Sequence, residues 1–180
     1  KPNTTTVIER AGGDGKSGPS GVKLVALLTA DGQQIDQGIV WRVFQGPDPQ
    51  GKTKLVTENR DPAPQIKLQP GDYTVNAAFG RAHLTRKISV TPAAPATEQF
   101  VLNAGGLRLT AFAGGNEAPP GTVSYAIFSD DRDQFANRTA VMSGAKPKLI
   151  IRLNAGIYHV VATYGDANAV SRSDVTVEAG

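Results

Sequence analysis

One stretch of sequence occurs twice in this chain, first as Gly71-Asp72-Tyr73-Thr74-Val75-Asn76-Ala77-Ala78-Phe79-Gly80 and again as Gly156-Ile157-Tyr158-His159-Val160-Val161-Ala162-Thr163-Tyr164-Gly165. In both copies apolar residues recur at every second position, starting from Tyr73 and from Tyr158. A period of two places alternate side chains on one face of a strand, whereas a helix repeats about every 3.6 residues. The two stretches therefore predict two equivalent β-strands, each with one buried face.

Three further blocks recur in the same order and extend the match over most of the chain. Residues 21–26 match 106–111 at the same offset of 85 residues, 41–44 match 125–128 at 84, and 88–91 match 175–178 at 87. Four collinear blocks indicate an internal duplication, so the fold should repeat as well.

Turn residues separate the predicted strands throughout, among them Asp31-Gly32, Pro70-Gly71 and Gly114-Gly115, and no helix longer than a turn is predicted. Six or seven short strands in each repeat are typical of a β-sandwich, in which two antiparallel sheets bury their apolar faces against each other. Trp41 and, in the second repeat, Tyr125 should fill the centres of the two cores. The predicted strands are 22–30, 39–45, 53–58, 64–68, 72–79, 83–91, 97–103, 107–113, 122–128, 138–142, 148–153, 157–164 and 170–178.

The segments that lead into the repeated stretch resemble a known family. They read Leu68-Gln69-Pro70-Gly71-Asp72-Tyr73-Thr74-Val75 and Leu153-Asn154-Ala155-Gly156-Ile157-Tyr158-His159-Val160. Both are similar to the Leu-x-Pro-Gly-x-Tyr-x-Val segment of tandem bacterial immunoglobulin-like and carboxypeptidase-regulatory-like (prealbumin-like) β-sandwich repeats, although the second copy has Ala155 in place of the proline. The resemblance implies that Tyr73 and Tyr158 are corner tyrosines, whose hydroxyls bond nearby backbone, and that Gly71 and Gly156 permit the tight turn before them.

These observations together predict an all-β chain of two tandem immunoglobulin-like antiparallel β-sandwich domains. We expect an N-terminal strand remnant and flexible linker over 1–20, a first sandwich repeat over 21–104 and a second over 105–180. Gly105 and Gly106 are expected to form a short hinge between two domains that bury little against each other.

The composition excludes several classes of function. The net charge is only +3, with no clustering of basic residues and aromatics, so nucleic-acid binding is not expected. The chain has no cysteine, which excludes disulfides and thiolate chemistry. No apolar run reaches the roughly 20 residues of a membrane span. No cofactor motif is present.

Candidate sites for chemistry are few. Asp130, Asp131 and Asp133 are weak calcium candidates, because calcium prefers six to eight oxygen ligands and only these three carboxylates are local; a solvated loop between strands is the preferred interpretation. His83 and His159 are interpreted as surface histidines, since no Gly-x-Ser-x-Gly nucleophile motif accompanies them. The sequence therefore predicts no catalytic residues.

The predicted function is a non-catalytic binding or spacing module that contacts a protein partner or neighbouring repeats. The resemblance implies a periplasmic or extracellular location in the bacterial envelope. The alternatives are a carbohydrate-binding sandwich and, less favoured, a small hydrolase. One further expectation concerns Thr5 to Gly13, which resemble the closing strand of the first repeat and its linker. We expect the second sandwich to have an uncovered edge, and we expect Thr4 to Arg10 either to pair with it, within the chain or from a neighbouring molecule, or to stay loose.

Overall fold

The computed structural model describes residues 19–92, 95–165 and 169–180, which form fifteen β-strands and no helix, hence no helix that could cross a membrane. The first half of the chain contains β1 (Ser20–Leu27), β2 (Ile39–Gln45), β3 (Lys54–Asn59), β4 (Gln65–Leu68), β5 (Gly71–Phe79), β6 (Ala82–Val90) and β7 (Ala96–Val101). The second half contains β8 (Ala104–Arg108), β9 (Phe112–Ala113), β10 (Asn116–Glu117), β11 (Val123–Arg132), β12 (Arg138–Ala145), β13 (Ile150–Asn154), β14 (Gly156–Tyr164) and β15 (Ala169–Val177). Each predicted strand overlaps an observed one, and the all-β prediction is confirmed.

The first half is a sandwich of two sheets. A three-stranded sheet in the order β4-β1-β7 faces a four-stranded sheet in the order β3-β2-β5-β6. All neighbouring strands are antiparallel except β7, which pairs in parallel with β1. The alternating apolar residues of both sheets meet in one hydrophobic cluster, in which Trp41, Val43 and Val75 are fully buried.

The second half repeats this plan with two strands instead of three in the smaller sheet. A two-stranded sheet of β13 and β8 faces a four-stranded sheet in the order β12-β11-β14-β15, and β9 and β10 form a separate short hairpin. A second hydrophobic cluster, which includes Tyr125, Ile127 and Leu153, lies between the β13–β8 sheet and the four-stranded sheet. Two β-sandwiches, antiparallel except for the β1–β7 pair, thus follow each other along the chain.

The central aromatic residues occupy equivalent places in the two sandwiches. Trp41 lies opposite Ala77 in the β2–β5 ladder, and Tyr125 lies opposite Ala162 in the β11–β14 ladder. Trp41 is fully buried and meets Phe100 of β7 edge-to-face, with ring centroids 5.2 Å apart. Tyr125 is also buried.

The predicted hinge at Gly105 and Gly106 is wrong, because both residues are part of β8. They lie opposite Leu153 and Arg152 of β13. A Cβ atom on Gly105 would come within 2.0 Å of the Glu178 carbonyl oxygen, so glycine serves close packing here rather than freedom of movement.

Two other expectations fall at the limits of the predicted strands. The preferred interpretation of the acidic cluster as a loop is wrong for Asp130 and Asp131, which belong to β11: this strand continues until Arg132 lies opposite Arg138 of β12. Asp133 does lie in the turn between the two strands. The N-terminal remnant and linker predicted over 1–20 lie outside the described residues up to residue 18.

Candidate functional site

Three titratable side chains meet on the outer face of the four-stranded sheet of the second half. His159 of β14 lies between Asp130 of β11 and Asp174 of β15. Its Nε2 is 2.7 Å from the Asp130 carboxylate, and its Nδ1 bonds the Asp174 carboxylate. The prediction that His159 is a surface histidine is wrong, because the two carboxylates and the neighbouring strands cover its ring and leave 11% of the side chain exposed.

The strand register creates this Asp130–His159–Asp174 cluster. His159 lies directly opposite Asp174 in the β14–β15 ladder and opposite Phe128 in the β11–β14 ladder, and Asp130 follows Phe128 on the same face of β11. Cross-strand neighbours on one face are close enough for side chains to bond. The cluster therefore ties three adjacent strands together.

The cluster favours the charged forms of its members. The hydrogen bond to Asp130, followed by that to Asp174, raises the pKa of His159 above its ordinary value of 6.5. The hydrogen bond to His159 lowers the pKa of Asp130 below its ordinary value of 3.8, with smaller contributions from Arg138 and Arg132. At neutral pH this arrangement favours an imidazolium ring between carboxylates.

An imidazolium held in this way does not act as a base. Both ring nitrogens donate to carboxylates, so neither has a lone pair for a proton or a metal ion. The contacts of His159 also include no serine or threonine hydroxyl at hydrogen-bond distance among the described residues. The geometry suits a structural role.

The three calcium candidates do not converge. Asp130 bonds His159. Asp133 accepts hydrogen bonds from the backbone amides of Phe135 (2.8 Å) and Asn137 (2.9 Å) and thereby closes its own turn. Within the described ranges no group of three or more acidic or histidine side chains is arranged to hold a metal ion.

The corner tyrosines have matching environments in the two sandwiches. The Tyr73 hydroxyl donates to the Gln69 carbonyl oxygen at 2.7 Å, and the Tyr158 hydroxyl donates to the Asn154 carbonyl oxygen at 2.7 Å. The glycines before them, Gly71 and Gly156, have φ angles of 150° and 158°, which residues with a Cβ atom rarely adopt. These bonds fix the turn into β5 and into β14.

Tyr125, in contrast, has a buried hydroxyl with no hydrogen-bond partner among the described residues. Burial raises the pKa of this hydroxyl above its ordinary value of 10.0. A buried polar group without a partner destabilises the folded state.

The side chain of Asn154 joins the two halves. Its amide nitrogen donates to the carbonyl oxygens of His83 (3.1 Å) and Leu102 (2.8 Å), and its amide oxygen accepts from the His83 backbone amide at 3.1 Å. The amide thus pairs with both backbone groups of His83. Sequence reasoning missed this role, because Asn154 stands where the first repeat has Gln69 and nothing nearby marks it.

Arg152 forms a second contact across the same junction. Its carbonyl oxygen accepts from the Arg81 backbone amide at 2.9 Å, and its guanidinium carbon lies 4.5 Å from the centre of the Phe79 ring. A Cβ on Gly80 would come within 2.9 Å of the Arg152 Cβ, which shows how closely the two halves approach. The two halves therefore contact each other at this point.

A cleft at one end of the first sandwich has a volume of about 940 Å³. Its aspartates already have partners: Asp48 accepts from the backbone amides of Gln50 and Lys52, and Asp72 accepts from the Ser89 hydroxyl. The one aromatic residue lining it, Tyr73, is buried and offers no face on which a sugar could stack. The exposed aromatics Phe112 and Phe135 lie elsewhere, so the carbohydrate alternative has no aromatic platform in this cleft.

No protein-family model matches the chain, and no curated protein matches it. Among solved structures the chain is similar to the Bacillus anthracis TIE protein, at 13% identity and a TM-score of 0.37, over 89% of this chain and 32% of that one. It is also similar to a DUF3823 family protein from Parabacteroides merdae ATCC 43184, at 12% identity and a TM-score of 0.32, over 89% of this chain and 100% of that one. A proposed adhesin from Bacteroides ovatus ATCC 8483 matches at 10% identity and a TM-score of 0.41, over 88% of this chain and 83% of that one. This chain thus spans about a third of the TIE protein.

Proposed function

We propose that this chain is a non-catalytic spacing and binding module that makes protein–protein contacts in a bacterial periplasmic or extracellular protein. Its working units are two immunoglobulin-like domains, 21–104 and 105–180. The envelope location is supported by the resemblance of the segments before Tyr73 and Tyr158 to bacterial sandwich repeats.

The junction between the halves carries the proposal. A spacer must hold its domains at a fixed distance and angle, and short flexible linkers do not do this. Here Asn154 pairs with the His83 backbone, and Arg152 lies over Phe79 and accepts from the Arg81 backbone amide. These contacts restrain rotation as well as distance.

The electrostatics also favour a non-catalytic role over a hydrolase. Perturbed titratable groups often mark active sites. In this chain the perturbed histidine, His159, has both nitrogens bonded to carboxylates and holds three strands together. The role of this ring is therefore structural: it joins neighbouring strands by hydrogen bonds.

The proposal is tested by measuring the distance distribution between the two halves. Because the chain has no cysteine, Lys67→Cys and Ser171→Cys introduce a single pair for spin labels, one on β4 and one on β15, both at exposed positions. Pulsed electron–electron double resonance on this doubly labelled protein should give one narrow distribution of spin-label distances. Asn154→Ala should broaden it.

Gln69→Ala is the matched control for Asn154→Ala, since Gln69 occupies the equivalent position in the first half. It should leave the distribution narrow. A broad distribution without any further substitution would mean that the junction is flexible, and the spacing role would be abandoned.

A further inference from the structure

The smaller sheets of the two halves have edge strands that occupy equivalent places. Leu68 of β4 lies opposite Ser20 of β1, and Leu153 of β13 lies opposite Gly105 of β8, so the two ladders have the same register. Each of these edge strands pairs with one strand only. β4 and β13 therefore each have one side without a ladder partner among the described strands.

A contact with the first half shows which backbone groups of β13 face its open side. The Arg81 amide donates to the Arg152 carbonyl oxygen at 2.9 Å, whereas the Ala155 amide donates towards β8, to the Asn103 carbonyl oxygen. Backbone groups alternate between the two sides of an antiparallel strand, so those of Ile150 point the same way as those of Arg152. No hydrogen bond to the Ile150 backbone is found on that side within the described part of the chain. The open side of β13 thus begins where the junction contact ends.

The second half alone exposes apolar residues at this edge. Leu149 and Ile150, at the start of β13, are both 53% exposed. The equivalent positions of the first half hold Pro64, which is fully buried, and Gln65, which is exposed and polar. Exposed apolar residues on an edge strand are typical of a site that pairs with another strand. The two edges thus share a position in the fold but differ in their residues.

A cavity of about 560 Å³ adjoins the exposed edge. Leu149 and Ile150 line it from the second half, together with the half-buried Met142 of β12, and Phe79 lines it from the first half. An apolar lining therefore lies directly beside the open backbone of Ile150.

The surroundings of the edge are basic. Arg81 and Arg152 line the cavity, and no carboxylate is among its described lining residues. Arg108 is exposed and lies directly opposite Ile150 in the β13–β8 ladder. None of these three arginines forms an ion pair with another described residue. A partner with carboxylates would supply the missing counter-ions.

Alternation along the strand separates the basic contacts from the apolar ones. Ile151 is buried in the core, so Ile150 and Arg152 lie on the outer face of the sheet, as does Arg108. Met142 packs against the core. An added strand also alternates, so every second residue meets the basic face and the residues between them meet the apolar cavity.

We propose that the open side of β13 binds an extended segment of a partner protein in which apolar and acidic residues alternate. The proposal rests on the proposed function, since it names the partner of a module that makes protein–protein contacts. The backbone of the segment pairs with Ile150, its apolar side chains enter the cavity at Met142 and Leu149, and its carboxylates lie beside Arg108 and Arg152. Main-chain pairing gives affinity in such strand addition, and the side-chain contacts give specificity.

The charges disfavour a second copy of the chain as the occupant. Pairing of two β13 strands would bring together two sets of the same three arginines, Arg81, Arg108 and Arg152. Like charges placed close together across paired strands are destabilising. An acidic strand brings no such conflict.

The proposal is tested by NMR titration of the full chain with two hexapeptides blocked at both ends. One peptide alternates valine and glutamate, and the other alternates valine and lysine. The glutamate peptide should shift the amide signals of Met142 and of residues 149–152, and it should slow hydrogen exchange of the Ile150 amide. The lysine peptide should bind at least several-fold more weakly.

Two substitutions separate backbone pairing from charge. Ile150→Pro removes the backbone donor that faces the open side, so it should abolish binding of the glutamate peptide. Gln65→Pro, at the equivalent position of the first half, is the matched control and should leave binding unchanged. Arg108→Gln should weaken binding several-fold without loss of the fold, because this side chain is exposed, and Lys23→Gln at the equivalent position should have no effect.

Several results would overturn the proposal. The first is a glutamate peptide that shifts no signal of residues 149–152, and the second is equal binding of the two peptides. The third is an edge that is already covered without peptide, seen either as self-association that Ile150→Pro abolishes in sedimentation or as a protected Ile150 amide in a monomer. The spin-label pair at positions 67 and 171 separates this failure from that of the spacing role, since the distance distribution stays narrow if only the peptide site is wrong.

Discussion

In the first half Trp41 packs against Phe100 from a parallel closing strand, and Arg86 covers that strand from the facing sheet. In the second half Tyr125 stands in the place of Trp41, Ser173 stands in the place of Arg86, and no described strand carries a counterpart of Phe100. The first cluster has 19 buried members and the second has 11. The same strand plan thus yields two cores of different size, and the closing strand adds Phe100 to the larger one.

Truncating the central aromatics should give the largest effects and should separate the two cores. Trp41→Ala removes a fully buried ring and its partner contact with Phe100, so we expect a loss of about 3–5 kcal/mol in the free energy of unfolding. Tyr125→Ala should cost less, because its hydroxyl is buried without a partner. Denaturant titration followed by resolved amide signals of each half measures both losses. Equal losses would contradict the comparison.

The junction gives the next largest effect. Asn154→Ala removes three hydrogen bonds to the backbone of His83 and Leu102, and we expect a loss of about 1–2 kcal/mol. Gln69→Ala, at the equivalent position of the first half, should change the free energy of unfolding by much less. If the two substitutions cost the same, Asn154 has no special role at the junction.

The second half alone has a histidine tied into its sheet, so its stability should depend on pH in a particular way. The raised pKa of His159 means that the cluster's contribution is fully present below 6.5 and is lost as pH rises through the folded pKa. The lowered pKa of Asp130 means that its contribution is present above 3.8 and is lost as pH falls through the folded pKa. The cluster should therefore stabilise the fold most between these two values.

The pH dependence is checked by following the free energy of unfolding across this range. His159→Gln should remove the decrease in the free energy of unfolding that occurs as pH rises through the folded pKa of His159. His83→Gln, which removes an exposed histidine outside the cluster, is the matched control. A decline of unchanged size in His159→Gln would show that other groups cause it.

Sequence reasoning predicted the fold well but not the junction. The period-two pattern of 72–79 and 157–164 and the turn glycines define strands locally, so the sandwich could be predicted. The roles of Asn154 and Gly105 depend on which backbone atoms of other strands lie nearby, His83 and Glu178 in these cases. His159 was placed on the outer face, but its burial depends on two carboxylates 29 and 15 residues away in sequence.

The smallest effects concern the tyrosine hydroxyls. Tyr158→Phe removes a hydrogen bond to the Asn154 carbonyl, so we expect a loss of about 1 kcal/mol. Tyr125→Phe removes a buried hydroxyl that has no described partner, so the free energy of unfolding should be unchanged or rise by up to about 1 kcal/mol. Thermal unfolding of the pair of variants is sufficient, and a larger loss in Tyr125→Phe would mean that its hydroxyl has a partner in solution.

The claim that the two halves are held at a fixed angle is tested most directly by residual dipolar couplings in the unmodified chain. Amide couplings measured separately for β1–β7 and for β8–β15 each define an alignment tensor. A rigid junction at Asn154 and Arg152 predicts tensors of equal magnitude and a common orientation. Clearly different magnitudes would show that the halves move independently and would contradict the account.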